Sequence, residues 1–142
     1  MGTTATIQQF SVRSTQQFQM IDITGEVNQA IARTATSAGL CNVFLPHTTA
    51  ALIVCENWDP DVIHDLLQRL QVLVPQQAGY RHGEGNSQAH ILSVMLGCSL
   101  NLPVSQGQLA LGRWQGVMLG EFDGPRQRQV KVSLIDARAQ PE

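Results

Sequence analysis

The sequence predicts an α+β fold, built as one compact domain with a largely antiparallel or mixed sheet and about three helices. Three observations support this prediction: strand patterns at both ends of the chain, helical spacing of apolar residues in the middle, and closely spaced strands in the last third. The 142 residues match the length of one domain. We therefore expect a single domain over 1–142, with a polar tail at 137–142.

Four strands and one helix are predicted in the first two fifths of the chain. Alternating or apolar runs bordered by turn residues mark the strands at 7–12, 18–23, 40–45 and 50–55. A polar turn at 14–16 joins the first two strands as a pair. Apolar residues from Val27 to Ala38 recur at helical spacing, and Gly39 supplies the stop signal of a helix that follows Thr24.

The best-defined helix is predicted to begin at Asp59 and Pro60. Aspartate is a favoured N-cap, and proline suits the first helical position because its missing N–H would be unpaired there anyway. One apolar stripe follows, formed by Val62, Ile63, Leu66, Leu67 and Leu70. Pro75 marks the end, and a polar loop at 79–87 leads into a third helix at 88–96.

The last third of the chain is predicted to consist of short strands separated by glycine, proline or serine. These strands lie at 100–104, 108–111, 116–121 and 129–135. In the last of them, Val130, Val132 and Leu134 alternate with polar residues, which predicts a strand with one face on the core.

The charge and hydropathy of the chain argue against nucleic-acid and membrane partners. The net charge is −2 and no run of lysine or arginine is present, so the electrostatic footprint of a nucleic-acid binder is missing. No apolar stretch approaches the roughly 20 residues that span a bilayer, and the N-terminal residues lack the pattern of a signal peptide. Three cysteines without a CxxC pair do not suggest a disulfide framework. We expect a cytoplasmic protein that acts on a small molecule.

Three histidines are the candidate metal ligands. His47 lies between two predicted strands, His82 lies in the glycine-containing loop, and His90 follows eight residues later. Three imidazoles that leave one position open to water or substrate suit a catalytic divalent metal. Their spacing matches no local metal motif, so exposed or core histidines stay an alternative interpretation. His64 is expected on the surface of the second helix.

Two carboxylates and two side chains of a tryptophan–glutamine pair are further candidates. Glu56 and Glu121 end predicted strands, where a carboxylate can bind metal, orient a histidine or act as a general base. The alternative is an exposed charge at a strand end. Trp114 can stack on a planar ring and Gln115 can hydrogen-bond the edge of that ring. The alternative for Trp114 is an ordinary aromatic residue of the core.

Arginines and threonines complete the candidate set. Arg126 and Arg128 offer forked donors for phosphate, and the alternative for both is a solvated turn. Thr48 and Thr49 add hydroxyls beside His47. Neither a glycine-rich nucleotide-binding motif nor a GxSxG nucleophile motif is present.

Several short motifs follow one another in order along about two thirds of the chain. HTTA, EN-x-DP, LG-x-WQ and E-x-DGPR-x-R fall between about residue 40 and residue 132. With these motifs the chain resembles the YjbQ-like family, also called the secondary thiamine-phosphate synthase family. The resemblance implies an α+β homotrimer. It also implies that His47, His82 and His90 meet in a polar cleft near a subunit boundary.

The resemblance further implies a weak or secondary thiamine-phosphate synthase activity, which joins a hydroxymethylpyrimidine diphosphate to a thiazole phosphate. The expected catalytic residues are Glu56, Glu121 and Gln115. The expected substrate-binding residues are Thr48, Thr49, Trp114, Arg126 and Arg128. An imidazole cluster favours Zn²⁺, whereas a diphosphate substrate would favour Mg²⁺. A zinc-dependent hydrolase of a small substrate, or a non-catalytic trimer that binds a small ligand or metal, are the alternatives.

Overall fold

The computed structural model describes residues 5–137, so most of the predicted tail at 137–142 lies outside the described residues. The described strands are β1 (Ala5–Arg13), β2 (Gln19–Asp22), β3 (Gly39–Phe44), β4 (Ala50–Glu56), β5 (Ser99–Ser105), β6 (Gln108–Leu109), β7 (Gln115–Glu121) and β8 (Gln127–Asp136). The described helices are α1 (Thr24–Arg33), α2 (Pro60–Leu73) and α3 (Ser87–Leu96). The predicted α+β class is confirmed.

The strands form two sheets in which every pairing is antiparallel. One sheet has the order β1-β8-β3-β5-β6 and the other has the order β2-β7-β4. The first two strands were expected to pair with each other, and this was wrong: β1 pairs with β8 and β2 pairs with β7. The turn between them crosses from one sheet to the other and is hydrogen-bonded to the β7–β8 loop. The N–H of Ser14 donates to the carbonyl of Arg126, and the N–H of Gly124 donates to the carbonyl of Gln17.

Apolar side chains divide the molecule into three layers. The larger core lies between the two sheets and includes α1, and the smaller core lies between the three-stranded sheet and helices α2 and α3. Strand β4 shows why both faces of the small sheet are covered: Ala50 and Leu52 face the first core, and Ala51 between them faces the second. The three-stranded sheet is therefore the central layer.

Helix α1 is shorter than the apolar spacing predicts. It ends at Arg33, where Thr34 donates its hydroxyl hydrogen to the carbonyl of Ile31 over 2.7 Å and Ala35 takes a positive φ of 56°. Gly39, predicted as the stop of this helix, instead opens β3. Glycine is needed there because a Cβ atom would overlap the backbone carbonyl oxygen of Ile135 on the neighbouring strand.

Helix α2 begins where the sequence predicts. The Asp59 carboxylate accepts the N–H of Asp61 over 2.9 Å, and Pro60 occupies the first turn. The helix buries Leu70 against the smaller core. Among the described residues, none of the three helices is long and apolar enough to cross a membrane.

Substitution of Gly39 by alanine should destabilise the protein, because the added methyl group meets backbone rather than a side chain that can move. We expect the free energy of unfolding to fall by at least about 2 kcal/mol, measured by urea denaturation. The matched control is Gly25→Ala, since a Cβ there meets nothing within 4 Å and alanine favours helix α1. Equal stabilities of the two variants would contradict the packing argument.

Candidate functional site

A buried ion pair lies where β4, β7 and β8 meet. Glu121 is 0% exposed and Arg128 is 1% exposed. The Arg128 guanidinium donates Nε–H to Glu121 Oε1 over 2.9 Å, and its Nη2 contacts Glu121 Oε2. The same Nη2 donates to the hydroxyl of Thr49 over 2.8 Å and to its carbonyl over 3.1 Å. Forked geometry of this kind makes the pair strong and directional.

The loop segments on either side of the ion pair complete its hydrogen bonds. Ser14 donates its hydroxyl hydrogen to Glu121 Oε1 over 2.8 Å, and the N–H of Asp123 donates to Glu121 Oε2 over 3.1 Å. A Cβ at Gly124 would lie 2.6 Å from the Ser14 hydroxyl and 2.9 Å from Glu121. Glycine at this position therefore lets the β7–β8 loop close over the carboxylate.

Glu121 was predicted to be catalytic, and Arg128 and Thr49 to bind substrate. Burial by itself raises the pKa of Glu121, but hydrogen bonds from Arg128, the Asp123 N–H and Ser14 outweigh it and lower the pKa below its ordinary value. The carboxylate thus stays ionised, with its oxygens occupied. This placement favours a structural role for Glu121, Arg128 and Thr49, in which they hold three strands together.

His47 lies beside this ion pair, in the loop before β4. Its Nε2 accepts the backbone N–H of Gln129 over 2.9 Å. Burial lowers the pKa of His47 below 6.5, and the charge of Arg128 lowers it further. A neutral ring whose Nε2 accepts a hydrogen carries its proton on Nδ1. In this arrangement both ring nitrogens are committed, which disfavours metal binding by His47. The neighbouring Thr48 is exposed.

The other two histidines lie together on the surface. The rings of His82 and His90 pack edge to face with centroids 5.4 Å apart. They line a groove of about 380 Å³, which we call the histidine groove, formed by Tyr80, Arg81, His82, Ser87, His90 and Ile91. His82 Nε2 also lies 3.7 Å from the exposed carboxylate of Glu84. The loop at 79–87 and the first turn of α3 therefore bring together two histidines that are eight residues apart in the sequence.

The predicted metal set fits this geometry only in part. Two imidazoles are adjacent, but within residues 5–137 no three His, Cys, Asp or Glu side chains lie close enough together to hold a metal ion. His47 does not supply a third ligand, because its Nε2 already accepts the backbone N–H of Gln129. The three histidines of one chain therefore do not fit a three-ligand zinc site.

Arg126 links the ion pair to the histidine groove. It donates Nη2–H to Asp123 Oδ2 over 2.8 Å and Nε–H to the Asp123 carbonyl over 3.0 Å. Asp123 Oδ2 also accepts from the side-chain amide of Asn86 over 3.0 Å, and Asn86 precedes Ser87 at the start of α3. Of the two predicted phosphate-binding arginines, Arg126 is therefore the exposed one and the one nearer to the groove along this chain of contacts.

The remaining candidates lie at the far end of the three-stranded sheet. Trp58 and Trp114 pack edge to face with centroids 5.5 Å apart, and the Arg113 guanidinium lies 5.0 Å from the Trp114 ring centre. Gln115 uses its side-chain oxygen to accept the Gly112 N–H over 2.7 Å. We call these residues, together with Glu56, the tryptophan edge.

One chain does not bring the tryptophan edge to the ion pair. In the β4–β7 register, Ala50 is opposite Glu121 at one end and Glu56 is opposite Gln115 at the other. Six residue steps of about 3.4 Å place the two ends roughly 20 Å apart. The roles predicted for Glu56, Trp114 and Gln115 stay predictions, and within one chain these residues belong to a separate surface.

Sequence reasoning missed several residues of this region. Ser14 bonds the buried carboxylate from a polar turn with no distinguishing pattern, so no sequence signal identifies it. Asp123 and Arg81 could have been found, because the first lies in the DGPR motif and the second directly precedes His82.

Removing the charge of Glu121 should destabilise the protein and flatten its acid response. Glu121→Gln leaves Arg128 buried without a counter-charge, so we expect a loss of about 3–5 kcal/mol at neutral pH. In the wild type a lowered pKa stabilises the folded state above the ordinary value near 4.5, and this stability is lost as pH falls through the folded-state pKa. The deficit of the variant should therefore shrink in acid, as measured by denaturant titrations across this range.

The control for this substitution is Glu26→Gln, since Glu26 lies exposed in the first turn of α1. Its unfolding free energy should change by no more than about 0.5 kcal/mol. A Glu121→Gln deficit below about 1 kcal/mol, or one that is constant with pH, would contradict the role assigned to the ion pair.

Proteins of other organisms are similar to this chain in sequence. A family model described as UPF0047 protein YjbQ-like matches residues 8–137. A UPF0047 protein of Methanocaldococcus jannaschii is 38% identical over 89% of this chain and 91% of its own length. YugU, a UPF0047 protein of Bacillus subtilis, is 40% identical over 87% of this chain and 95% of its own length.

Solved structures of related proteins have a similar fold. A YjbQ/UPF0047 protein of Clostridium acetobutylicum is similar with a TM-score of 0.88 and 43% identity, covering 90% of this chain and 99% of that one. A protein of Sulfolobus solfataricus gives a TM-score of 0.90 at 28% identity, covering 95% and 99%. With its matching motifs, its two antiparallel sheets and these relatives, the chain belongs to the UPF0047 (YjbQ-like) family.

Proposed function

We propose that the protein is a transferase of the thiamine-phosphate synthase type, which binds the diphosphate of its substrate in the histidine groove. The observation that carries the proposal is the edge-to-face pair of His82 and His90 in an open groove of about 380 Å³. A groove of this size suits a small molecule. The proposed partner is therefore a small phosphorylated substrate.

Hydrogen-bond donors among the groove residues support the binding of a phosphate group. Arg81 supplies a guanidinium group, and His82 and His90 supply imidazole N–H donors. Ser87 begins helix α3, whose first N–H groups and dipole favour an anion. These donors line the groove together with the apolar side chain of Ile91.

The proposed reaction requires no proton transfer, but it requires stabilisation of the negative charge on the departing diphosphate. The bond between the methylene carbon of hydroxymethylpyrimidine diphosphate and the diphosphate oxygen breaks, and the electron pair leaves with the diphosphate. The thiazole nitrogen forms the new bond to that carbon and becomes cationic, so no proton is released. Donors aimed at the departing diphosphate lower the barrier, and Arg81, His82 and His90 are groups of this kind.

Purified substrates provide the test of this proposal. We expect thiamine-phosphate formation by the wild type and a loss of at least about tenfold in His82→Ala and His90→Ala, because each removes a donor to the leaving group. His64→Ala is the matched control, since His64 is exposed on α2 and is not among the residues that line the groove. Arg81→Met tests the guanidinium in the same assay.

Two outcomes would count against the transferase proposal. A rate that is equal in wild type, His82→Ala and His90→Ala would point to a contaminating enzyme or to another site. An absence of product with every preparation would refute the activity itself. Phosphate titrations followed by the imidazole proton signals of His82 and His90 would then show whether the groove binds anions without this chemistry.

A homotrimer with a divalent metal is a second proposal, and the spacing of the candidate residues favours it. Two imidazoles in the histidine groove are too few for a closed zinc site, and the tryptophan edge lies roughly 20 Å from the ion pair in the same chain. A second copy of the chain is the nearest source of further side chains. In a trimer, subunit contacts would bury large apolar side chains that are exposed in the single chain: Val94, Leu73, Val72 and Trp58.

Zinc is the metal that adjacent imidazoles favour over Mg²⁺. His82 and His90 would supply two of its ligands and a neighbouring copy of the chain the others, and zinc held in this way would supply an activated water for hydrolysis of a small substrate. We expect stoichiometric zinc in the wild type, its loss in His90→Ala and its retention in His64→Ala, as measured by elemental analysis. Light scattering of the same samples should give 46.5 kDa, three times the 15.5 kDa chain.

This alternative fails if the wild type carries no stoichiometric metal and its melting temperature does not respond to added zinc. A molar mass of one chain would remove the trimer. Zinc without turnover of any phosphorylated substrate would instead favour a non-catalytic protein that binds a metal or small ligand.

A further inference from the structure

The tryptophan edge, which belongs neither to the ion pair nor to the histidine groove, exposes two large aromatic side chains. Trp58 is 64% exposed and Trp114 is 52% exposed, although tryptophan is highly buried on average. The protein has two tryptophans in all, so both lie at this one place. Large apolar side chains that are exposed together, rather than scattered singly, are typical of a binding surface.

Hydrogen bonds fix both tryptophans to the backbone around them. Trp58 donates its indole N–H to the carbonyl of Arg113 over 2.9 Å, and the carbonyl of Trp114 accepts the N–H of Asn57 over 3.2 Å. Since indole has a single N–H donor, the Trp58 ring is left with its π faces for recognition. The two ring planes cross at 76° with centroids 5.5 Å apart, so the rings form a corner with two aromatic walls.

Three carboxylates adjoin this corner. Asp59 directly follows Trp58, and its N–H donates to Glu56 Oε2 over 3.3 Å, so Glu56 and Asp59 lie on either side of Trp58 in one tight turn. Asp22 accepts the side-chain amide of Asn57 over 2.8 Å. These donors are neutral, and no ion pair among residues 5–137 includes any of the three carboxylates. Their negative charge is therefore not compensated by a salt bridge.

A cation of the chain itself already uses this surface. The Arg113 guanidinium lies 5.0 Å from the centre of the Trp114 ring, within the range of a cation–π contact. One guanidinium against three carboxylates leaves negative charge in excess. Aromatic faces and carboxylates both attract a cation, whereas a phosphate or carboxylate ligand would be repelled. The charge of the edge thus selects a cationic ligand over an anionic one.

We infer that the tryptophan edge binds an organic cation, the quaternary ammonium group of a small molecule. The methyl groups of the ligand contact the two indole rings, and the carboxylates supply the counter-charge. A primary ammonium group suits the corner less well, because water hydrates it strongly and it loses this hydration against an aromatic wall. The inference goes beyond the proposed transferase and does not depend on it, since the edge shares no residue with the lining of the histidine groove.

The test is a titration of the purified full chain with choline at constant ionic strength, followed by tryptophan fluorescence. Both tryptophans lie at the edge, so their emission reports on this surface when the excitation spares the single tyrosine. The matched probe is the neutral alcohol in which a carbon atom replaces the nitrogen of choline, since it has the same shape without the charge. We expect a saturable change with choline and binding weaker by at least about fivefold with the alcohol, the effect of losing the cation–π contact.

Two charge variants should change the affinity for choline in opposite directions. Glu56→Gln removes a negative charge but keeps an acceptor for the Asp59 N–H, and should weaken binding by about twofold. Arg113→Met removes the competing cation from the Trp114 ring and should strengthen binding by a similar factor. Glu84→Gln is the control, because Glu84 is an exposed carboxylate beside His82 in the other site, and it should leave the affinity unchanged.

An aromatic variant locates the contact. Trp58→Leu removes one wall of the corner and should weaken choline binding by at least about fivefold, with Trp114 left as the fluorescent reporter. Phe44→Leu is the control, because Phe44 is an exposed aromatic residue on β3 of the other sheet. Both side chains are exposed, so both variants should fold, as their circular dichroism will verify.

Several results would overturn the inference: no saturable change with choline, equal affinity for choline and the neutral alcohol, or weaker binding in Arg113→Met. Emission that changes with protein concentration but not with choline would also overturn it, and would identify the edge as a contact between copies of the chain. Choline binding without any thiamine-phosphate formation removes only the transferase proposal. Turnover without choline binding removes only this inference.

Discussion

The buried pair of Glu121 and Arg128 is the interaction on which the rest of the structure depends. Taking two charges out of water is expensive, and the cost is offset only where geometry is good and every remaining polar atom is bonded. Here the carboxylate is bonded by Arg128, Ser14 and the Asp123 N–H, and the guanidinium reaches Thr49. These groups come from the turn after β1, the loop before β4, the end of β7 and the start of β8. The pair therefore fixes the corner at which the two sheets meet.

The same corner positions the histidine groove. Asp123 follows the buried carboxylate by two residues, and its side chain binds both Arg126 and Asn86. Asn86 precedes α3, whose first turn carries His90. A short chain of hydrogen bonds thus runs from a rigid, water-excluded ion pair to an exposed site. This arrangement suits a small-molecule site, because side chains that bind a ligand are most precise when fixed elements support them.

Local patterns predicted the elements but not their partners. Alternation in β8 and the Asp59–Pro60 start of α2 depend on neighbouring residues, and both were correct. The pairing of β1 with β8 joins the two ends of the chain and leaves no local pattern, so the expected pairing of the first two strands was wrong. The site shows the same limit. The local sequence around a carboxylate at a strand end is the same whether the side chain faces water or, like Glu121, a buried guanidinium.

The separation of the tryptophan edge from the ion pair is a property of the backbone. Strands β4 and β7 are paired along their full length, so no rotation of a side chain can cross the roughly 20 Å between Glu56 and Glu121. The motifs that carry the family resemblance are therefore distributed over two surfaces of one chain. Joint action of these surfaces requires a second chain, and independent action requires two ligands. In both cases the order of motifs along the sequence does not define a site. The β4–β7 pairing brings Glu56 opposite Gln115 and at the same time separates both from Glu121 at the other end of the strands.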